Sequence, residues 1–243
     1  MGGSMMAAFV LVHGAWHGAW CWQRVIPHLQ AKGHTVIAPD LPGLGEDKTD
    51  AAGVTLADNV ACIGKALDQA GEKAILVGHS LGGISITQAG EEFADKIARL
   101  VYLTAFVPLD GETRADLVLP GAPQAPRPLI FSEDKSAYWL ADEIIQPNYY
   151  HDCDEDTVAW AKAHLRPQPA GVSSTSVRTT DENWGRLERA YIICTEDRSI
   201  GIELQKFMIE RAGCDPVIPI ETSHSPFLSA PEELAGHLHG LAA

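Results

Sequence analysis

The chain has 243 residues, which suits one domain with or without a small insertion, and 46% of them are apolar, enough for a core of normal size. Its formal net charge of −14, from 18 basic and 32 acidic side chains, repels phosphate backbones and anionic bilayers, so neither nucleic acid nor a membrane is an expected partner. Five scattered cysteines (Cys21, Cys62, Cys153, Cys194 and Cys214) argue against a disulfide framework and a structural zinc site, and no run is apolar enough for a membrane span or a signal peptide, which makes the cytoplasm the expected location.

Met1-Gly2-Gly3-Ser4, ahead of Met5, reads as a cloning remnant. Short apolar, β-branched runs then alternate with segments of helical spacing. The runs predict strands over 9–12, 35–38, 74–77, 100–103, 191–194 and, more weakly, 217–220. Helices are expected over 20–31, 56–70, 84–93, 202–212 and 231–241, the last opened by Pro231. Continuous apolar strands with helices between them imply a mostly parallel, doubly wound α/β sheet of about six strands. The rhythm breaks over 108–180. There Pro120, Pro123, Pro126, Pro128, Pro167 and Pro169 flank helix-like stretches at 137–145 and 155–165. This region is expected to be a small helical cap inserted between core segments 5–107 and 181–243.

Gly78-His79-Ser80-Leu81-Gly82 lies between an expected strand and an expected helix. A Gly-x-Ser-x-Gly pentapeptide in that setting is the nucleophile elbow of the α/β-hydrolase fold. Its tight turn needs small flanking residues, and it lifts the serine hydroxyl to the positive end of a helix. A serine hydroxyl needs a base, and His224, after the sixth strand, stands where this fold places one. Asp197, after the fifth strand, is the expected acid, with adjacent Glu196 as its rival. Ser80, Asp197 and His224 then follow the chain order of the fold's triad. The backbone amides of Ala15 and Leu81 are the expected oxyanion donors, with Gly14 permitting close backbone approach. Asp40-Leu41-Pro42-Gly43 reads as a structural turn. His17 either reaches the pocket or makes a structural hydrogen bond. Gly14, His17, Tyr138, Trp139, Tyr150 and Trp160 are the candidate pocket residues. The acidic run from His151 to Asp156 precedes a helix and is expected to cap it rather than to hold a metal.

Residues 9–20, the segment Gly78–Gly83, Glu196-Asp197, Ser223-His224, and residues 149–169 with Cys153, Asp156 and Arg166-Pro167 resemble the plant methylesterase and hydroxynitrile lyase group, and more closely its bacterial members, several of which are carboxylesterases. The resemblance spans nearly the whole chain. It implies a hydrolase without a cofactor, with Ser80, Asp197 and His224 as its triad, and by analogy it allows a homodimer. Lyases of the group carry threonine where this chain has Gly14, lysine where it has Ser225, and Gly-Glu-Ser-Cys-Gly at the elbow. All three departures fall on the esterase side. The expectation is a serine carboxylesterase acting on small to medium apolar or aromatic esters through an acyl-enzyme; a cyanohydrin lyase and a non-catalytic ligand receptor are the alternatives.

Overall fold

The computed structural model describes residues 6–121 and 129–242. The proposed remnant at 1–4 and Pro123, Pro126 and Pro128 lie outside the described residues. In chain order, β1 (Ala8–Val12) is followed by a 3-10 turn at Ala19–Trp22, α1 (Ile26–Ala31) and β2 (Thr35–Ile37). Next come α2 (Leu56–Ala70), β3 (Ala74–His79), α3 (Gly82–Glu92) and β4 (Ile97–Leu103). Between β4 and the next strand of the main sheet lie β5 (Leu129–Phe131), β6 (Ala137–Leu140), α4 (Asp142–Tyr149), α5 (Glu155–His164), β7 (Gln168–Pro169) and α6 (Ala170–Ser174). The chain closes with β8 (Arg189–Cys194), α7 (Ile202–Ala212), β9 (Val217–Ile220), α8 (Pro226–Ser229) and α9 (Pro231–Gly240).

Six strands form one sheet in the order β2-β1-β3-β4-β8-β9, and every pairing is parallel. The strand order reverses between β1 and β3, so the loops leaving their C-terminal ends diverge and open a crevice at the switch point. The central strands are buried along almost their whole length, as continuous apolar runs covered by helices on both faces require. Pro219 is accommodated because β9 is an edge strand.

Local chemistry accounts for the helix limits. α2 starts at a reciprocal cap between Thr55 and Asp58 and stops at Gly71, whose φ of 71° ends the helix. The helix expected over 20–31 is split. Pro27 has no amide and would clash with the carbonyl four residues earlier, so α1 can only begin beside it.

The region expected to be a small helical cap holds strands beside its helices: β5, β6 and β7 form a three-stranded antiparallel sheet there. Residues 137–140, expected to open a helix, are strand instead. Tyr138 is buried and Trp139 is exposed, as neighbours on opposite faces of a strand can be. The helix expected over 137–145 therefore starts only at Asp142. α5 matches its expected position, and Asp154 caps it by accepting from the Thr157 amide at 2.7 Å.

Candidate active site

Ser80 directly follows β3 at the switch point. Its φ of +53° lies in the left-handed region that L-residues avoid, and the tight turn is accommodated by Gly78 and Gly82, two residues away on either side. A Cβ on Gly82 would come 2.6 Å from the His13 carbonyl oxygen, so no larger residue fits. The strained turn points the Ser80 hydroxyl at His224, and Oγ lies 2.9 Å from Nε2. Nδ1 of the same ring lies 2.6 Å from Oδ2 of Asp197. A carboxylate can only accept, so Nδ1 carries the proton and Nε2 is free to take one from Ser80. Of the two acids, Asp197 is buried and meets the His224 ring, while Glu196 is exposed. The other oxygen of Asp197 accepts from the amides of Ser199, at 2.6 Å, and Ile200, at 2.9 Å.

The loop after β1 completes the arrangement. His13 is fully buried. Its Nδ1–H donates to the Gly14 carbonyl at 2.9 Å, and its Nε2 accepts from the Leu41 amide at 3.0 Å. The Gly14 carbonyl and the Ala15 amide belong to one planar peptide unit, so holding the oxygen also aims the N–H. Among the described residues, neither the Ala15 nor the Leu81 amide meets a protein acceptor. Both are thus available to an oxyanion beside Ser80. The Asp40 turn, read from sequence as structural, supports the loop through Leu41 and through Asp40 itself, which accepts from the Ala19 amide at 2.6 Å.

Two more histidines, His17 and His79, set the surroundings. His17 donates from Nδ1 to the Ala15 carbonyl at 2.7 Å and accepts at Nε2 from the Tyr150 hydroxyl at 2.7 Å. Burial pushes His17 down to about 3 and holds His13 and His79 below the usual imidazole range, so all three are neutral. His79 donates from Nε2 to the His224 carbonyl at 2.9 Å, which leaves its buried Nδ1 without a partner among the described residues.

A cavity of about 500 Å³ opens above Ser80, walled by Trp16, Phe106, Leu129, Phe131, Tyr138 and Tyr149. The cap is pinned over it. Trp16 donates from its indole to the Tyr138 carbonyl at 3.1 Å and from its amide to Gln168 at 3.2 Å, and Ser223 donates to the Tyr149 carbonyl at 3.1 Å. Asp152, from the acidic run, accepts from the Ser223 amide at 2.7 Å and so anchors the His224 loop.

Of the expected pocket residues, Tyr138 lines this cavity and five do not. Gly14 lies beneath Ser80, in contact range of its Cβ. His17 and Tyr150 are buried behind the loop and bonded to each other. Trp160 packs edge-on against Trp20, with ring centroids 5.2 Å apart. Trp139 faces outward into a separate cavity of about 450 Å³ that does not reach Ser80. The reason is the strand at β6, whose alternation sends Tyr138 and Trp139 to opposite faces. Trp16, Phe106, Leu129 and Phe131 are pocket walls that the sequence pattern does not single out. Only the short apolar run at 129–131 signals one of the elements that carry them.

Comparison with known proteins agrees with this geometry. Residues 9–237 match the model of the alpha/beta hydrolase family. The chain is 34% identical over 259 residues to Salicylic acid-binding protein 2 of Nicotiana tabacum, covering 96% of each chain. It is 32% identical to Methylesterase 2 of Arabidopsis thaliana, covering 96% of this chain and 95% of that one. Among solved structures, a polyneuridine aldehyde esterase mutant (H244A) superposes with a TM-score of 0.88 at 27% identity, covering 98% of this chain and all of the other.

Proposed function

The chain belongs to the alpha/beta hydrolase family, in its methylesterase-like group, and is a serine carboxylesterase; on that premise we propose that Ser80, His224 and Asp197 carry out hydrolysis of small to medium esters with an apolar or aromatic portion. The observation that carries the reading is the unbroken line of contacts from Ser80 Oγ through both nitrogens of His224 to Asp197. Ser80 attacks the ester carbonyl while Nε2 of His224 takes its proton, and Asp197 stabilises the imidazolium that forms. The amides of Ala15 and Leu81 hold the oxyanion. His224 returns the proton to the departing alkoxide, and water activated by the same nitrogen releases the acid.

The substrate class follows from the cavity. Its aromatic and aliphatic walls, within about 500 Å³, favour a compact apolar group. Cyanohydrin lysis is disfavoured, since Ser225 is fully buried and supplies no cation. No helix among the described residues is long and apolar enough to cross a membrane. All five cysteines are free, which supports a reducing compartment, the cytoplasm, as the proposed location. A small ester is the proposed partner, and a homodimer is a further proposal that light scattering tests.

A panel of aryl acetates, methyl arylcarboxylates, long-chain triglycerides and mandelonitrile decides the substrate class. The highest kcat/KM is expected on the first two, and a lead for triglyceride or mandelonitrile overturns it. Ser80→Ala is expected to lower ester turnover by about 10⁴-fold or more with the fold retained. A variant keeping a tenth of wild-type activity overturns the assignment of the nucleophile.

A further inference from the structure

The chain leaving β4 bridges the two halves of the site. The Leu103 carbonyl accepts from the Ser80 amide at 3.3 Å, and the Phe106 amide donates to the Ser80 carbonyl at 3.1 Å. On the other side, the Thr104 amide donates to the Ile192 carbonyl of β8 at 2.9 Å. The Tyr191 hydroxyl accepts from the Ala105 amide at 2.9 Å and donates to the Ala105 carbonyl at 3.0 Å. Residues 103–106 therefore fasten the elbow of Ser80 to the strand that delivers Asp197.

Within this brace, Thr104 is fully buried and has a φ of +37°, a conformation that a β-branched residue rarely adopts. Its hydroxyl donates to Oδ2 of Asp197, the same oxygen that accepts from His224 Nδ1. The two loop amides hold only Oδ1. Secured through one oxygen alone, the carboxyl plane can swing about it and carry Oδ2 away from the imidazole. The Thr104 hydroxyl, arriving from a different strand, blocks that swing.

We propose that Thr104 is a positioning residue, whose hydroxyl fixes the carboxylate of Asp197 and through it the ring of His224. The inference rests on the assignment of Ser80, His224 and Asp197 above. It requires the hydroxyl itself, whereas a packing role requires only the side chain's shape. Thr104→Val keeps the branched shape without the donor. Thr104→Gly removes both the donor and the backbone strain, and Thr104→Ser keeps the donor. Each is compared with Asp197→Asn for kcat and KM on an aryl acetate, and by proton NMR for the downfield Nδ1–H resonance of His224.

Thr104→Val and Thr104→Gly are expected to lose about tenfold or more in kcat with KM nearly unchanged, and to shift or broaden that resonance. Thr104→Ser is expected to stay close to wild type in both readouts. Wild-type kcat and resonance in Thr104→Val overturn the proposal, as does a Thr104→Ser variant that melts like wild type yet is as slow as Thr104→Val. Should Thr104→Val fail to fold, Thr104→Gly against Thr104→Ser makes the same comparison. Full activity in Asp197→Asn instead overturns the assignment of the acid, and this inference with it.

Discussion

Gly14→Ala tests how tightly the oxyanion loop is set against the nucleophile. A Cβ at this position would lie 2.8 Å from Ser80 Cβ, 2.8 Å from His79 Nδ1 and 3.1 Å from the His79 carbonyl oxygen. Ordinary contact begins at 3.4 Å, so the first two neighbours must each give by about 0.6 Å. Neither can do so freely. Ser80 Cβ is fixed by a backbone at φ +53°, and the His79 ring is boxed in by His224, Phe227 and His17 at centroid distances of 4.7, 4.9 and 5.8 Å. The displacement must therefore fall on the Ala15 amide, on Ser80 Oγ, or on His224 through its bond to His79. A shift of this size in reacting groups, or loss of one oxyanion donor, costs on the order of 10²-fold in kcat. Overpacking adds roughly 1–3 kcal/mol of instability, or about 2–12 °C in Tm for a chain of this length. Steady-state hydrolysis of an aryl acetate together with a thermal melt measures both effects. A Gly14→Ala variant that keeps more than a third of wild-type kcat refutes the argument that this glycine is required by contact with the nucleophile.

The buried histidines make the fold acid-sensitive. A base whose folded value is depressed binds protons better when unfolded, so its contribution is fully present above the unfolded value of 6.5 and is lost as pH falls toward the folded one. For His17 the window runs from 6.5 down to about 3, so urea unfolding at pH 5 is expected to show about 2 kcal/mol less stability than at pH 7.5 from this group alone, with His13 and His79 adding in the same direction. Equal midpoints at the two pH values contradict this. Tyr150→Phe strips the donor from His17 Nε2 and leaves a buried acceptor unpaired, at a cost of roughly 1–3 kcal/mol. Because Tyr150 does not line the cavity, thermal melts should register the change while KM for aryl esters holds steady; a large rise in KM would return Tyr150 to the pocket. Phe131→Ala, by contrast, removes an exposed aromatic wall and is expected to raise KM for aromatic esters with little change in Tm. The same kinetic and melting assays check it, and an unchanged KM counts against Phe131 as a contact.

Much of the catalytic geometry is legible in the amino-acid sequence, because it rests on local chemistry. Gly78-His79-Ser80-Leu81-Gly82 is short enough that its small residues dictate the turn, and the strand ahead of it and helix behind it announce themselves by periodicity. β8 and β9 are apolar runs with one polar loop apiece, so the strand ends point to His224 and to the pair Glu196-Asp197, of which only Asp197 is buried. The helix expected over 56–70 matches residue for residue, since a reciprocal cap opens it and a glycine closes it.

The pocket behaves differently. Which cap residues face Ser80 depends on whether 137–140 is helix or strand, and a four-residue aromatic stretch does not settle that until β5 and β7 pair with it. The same pairing sends Trp139 outward and brings Phe131 to the cavity, while Tyr150, at the end of α4, is bonded to His17. Thr104 carries no sequence signal of any kind; its role exists only because β4 and β8 lie side by side and a left-handed turn aims its hydroxyl at Asp197. The sequence by itself thus determined the α/β class, the elbow and the order of Ser80, Asp197 and His224, since each is written in a few neighbouring residues. The walls of the cavity, the neutral histidines behind it and the brace on Asp197 were decided by the tertiary structure, because they join residues tens to more than a hundred positions apart whose contacts only folding brings about.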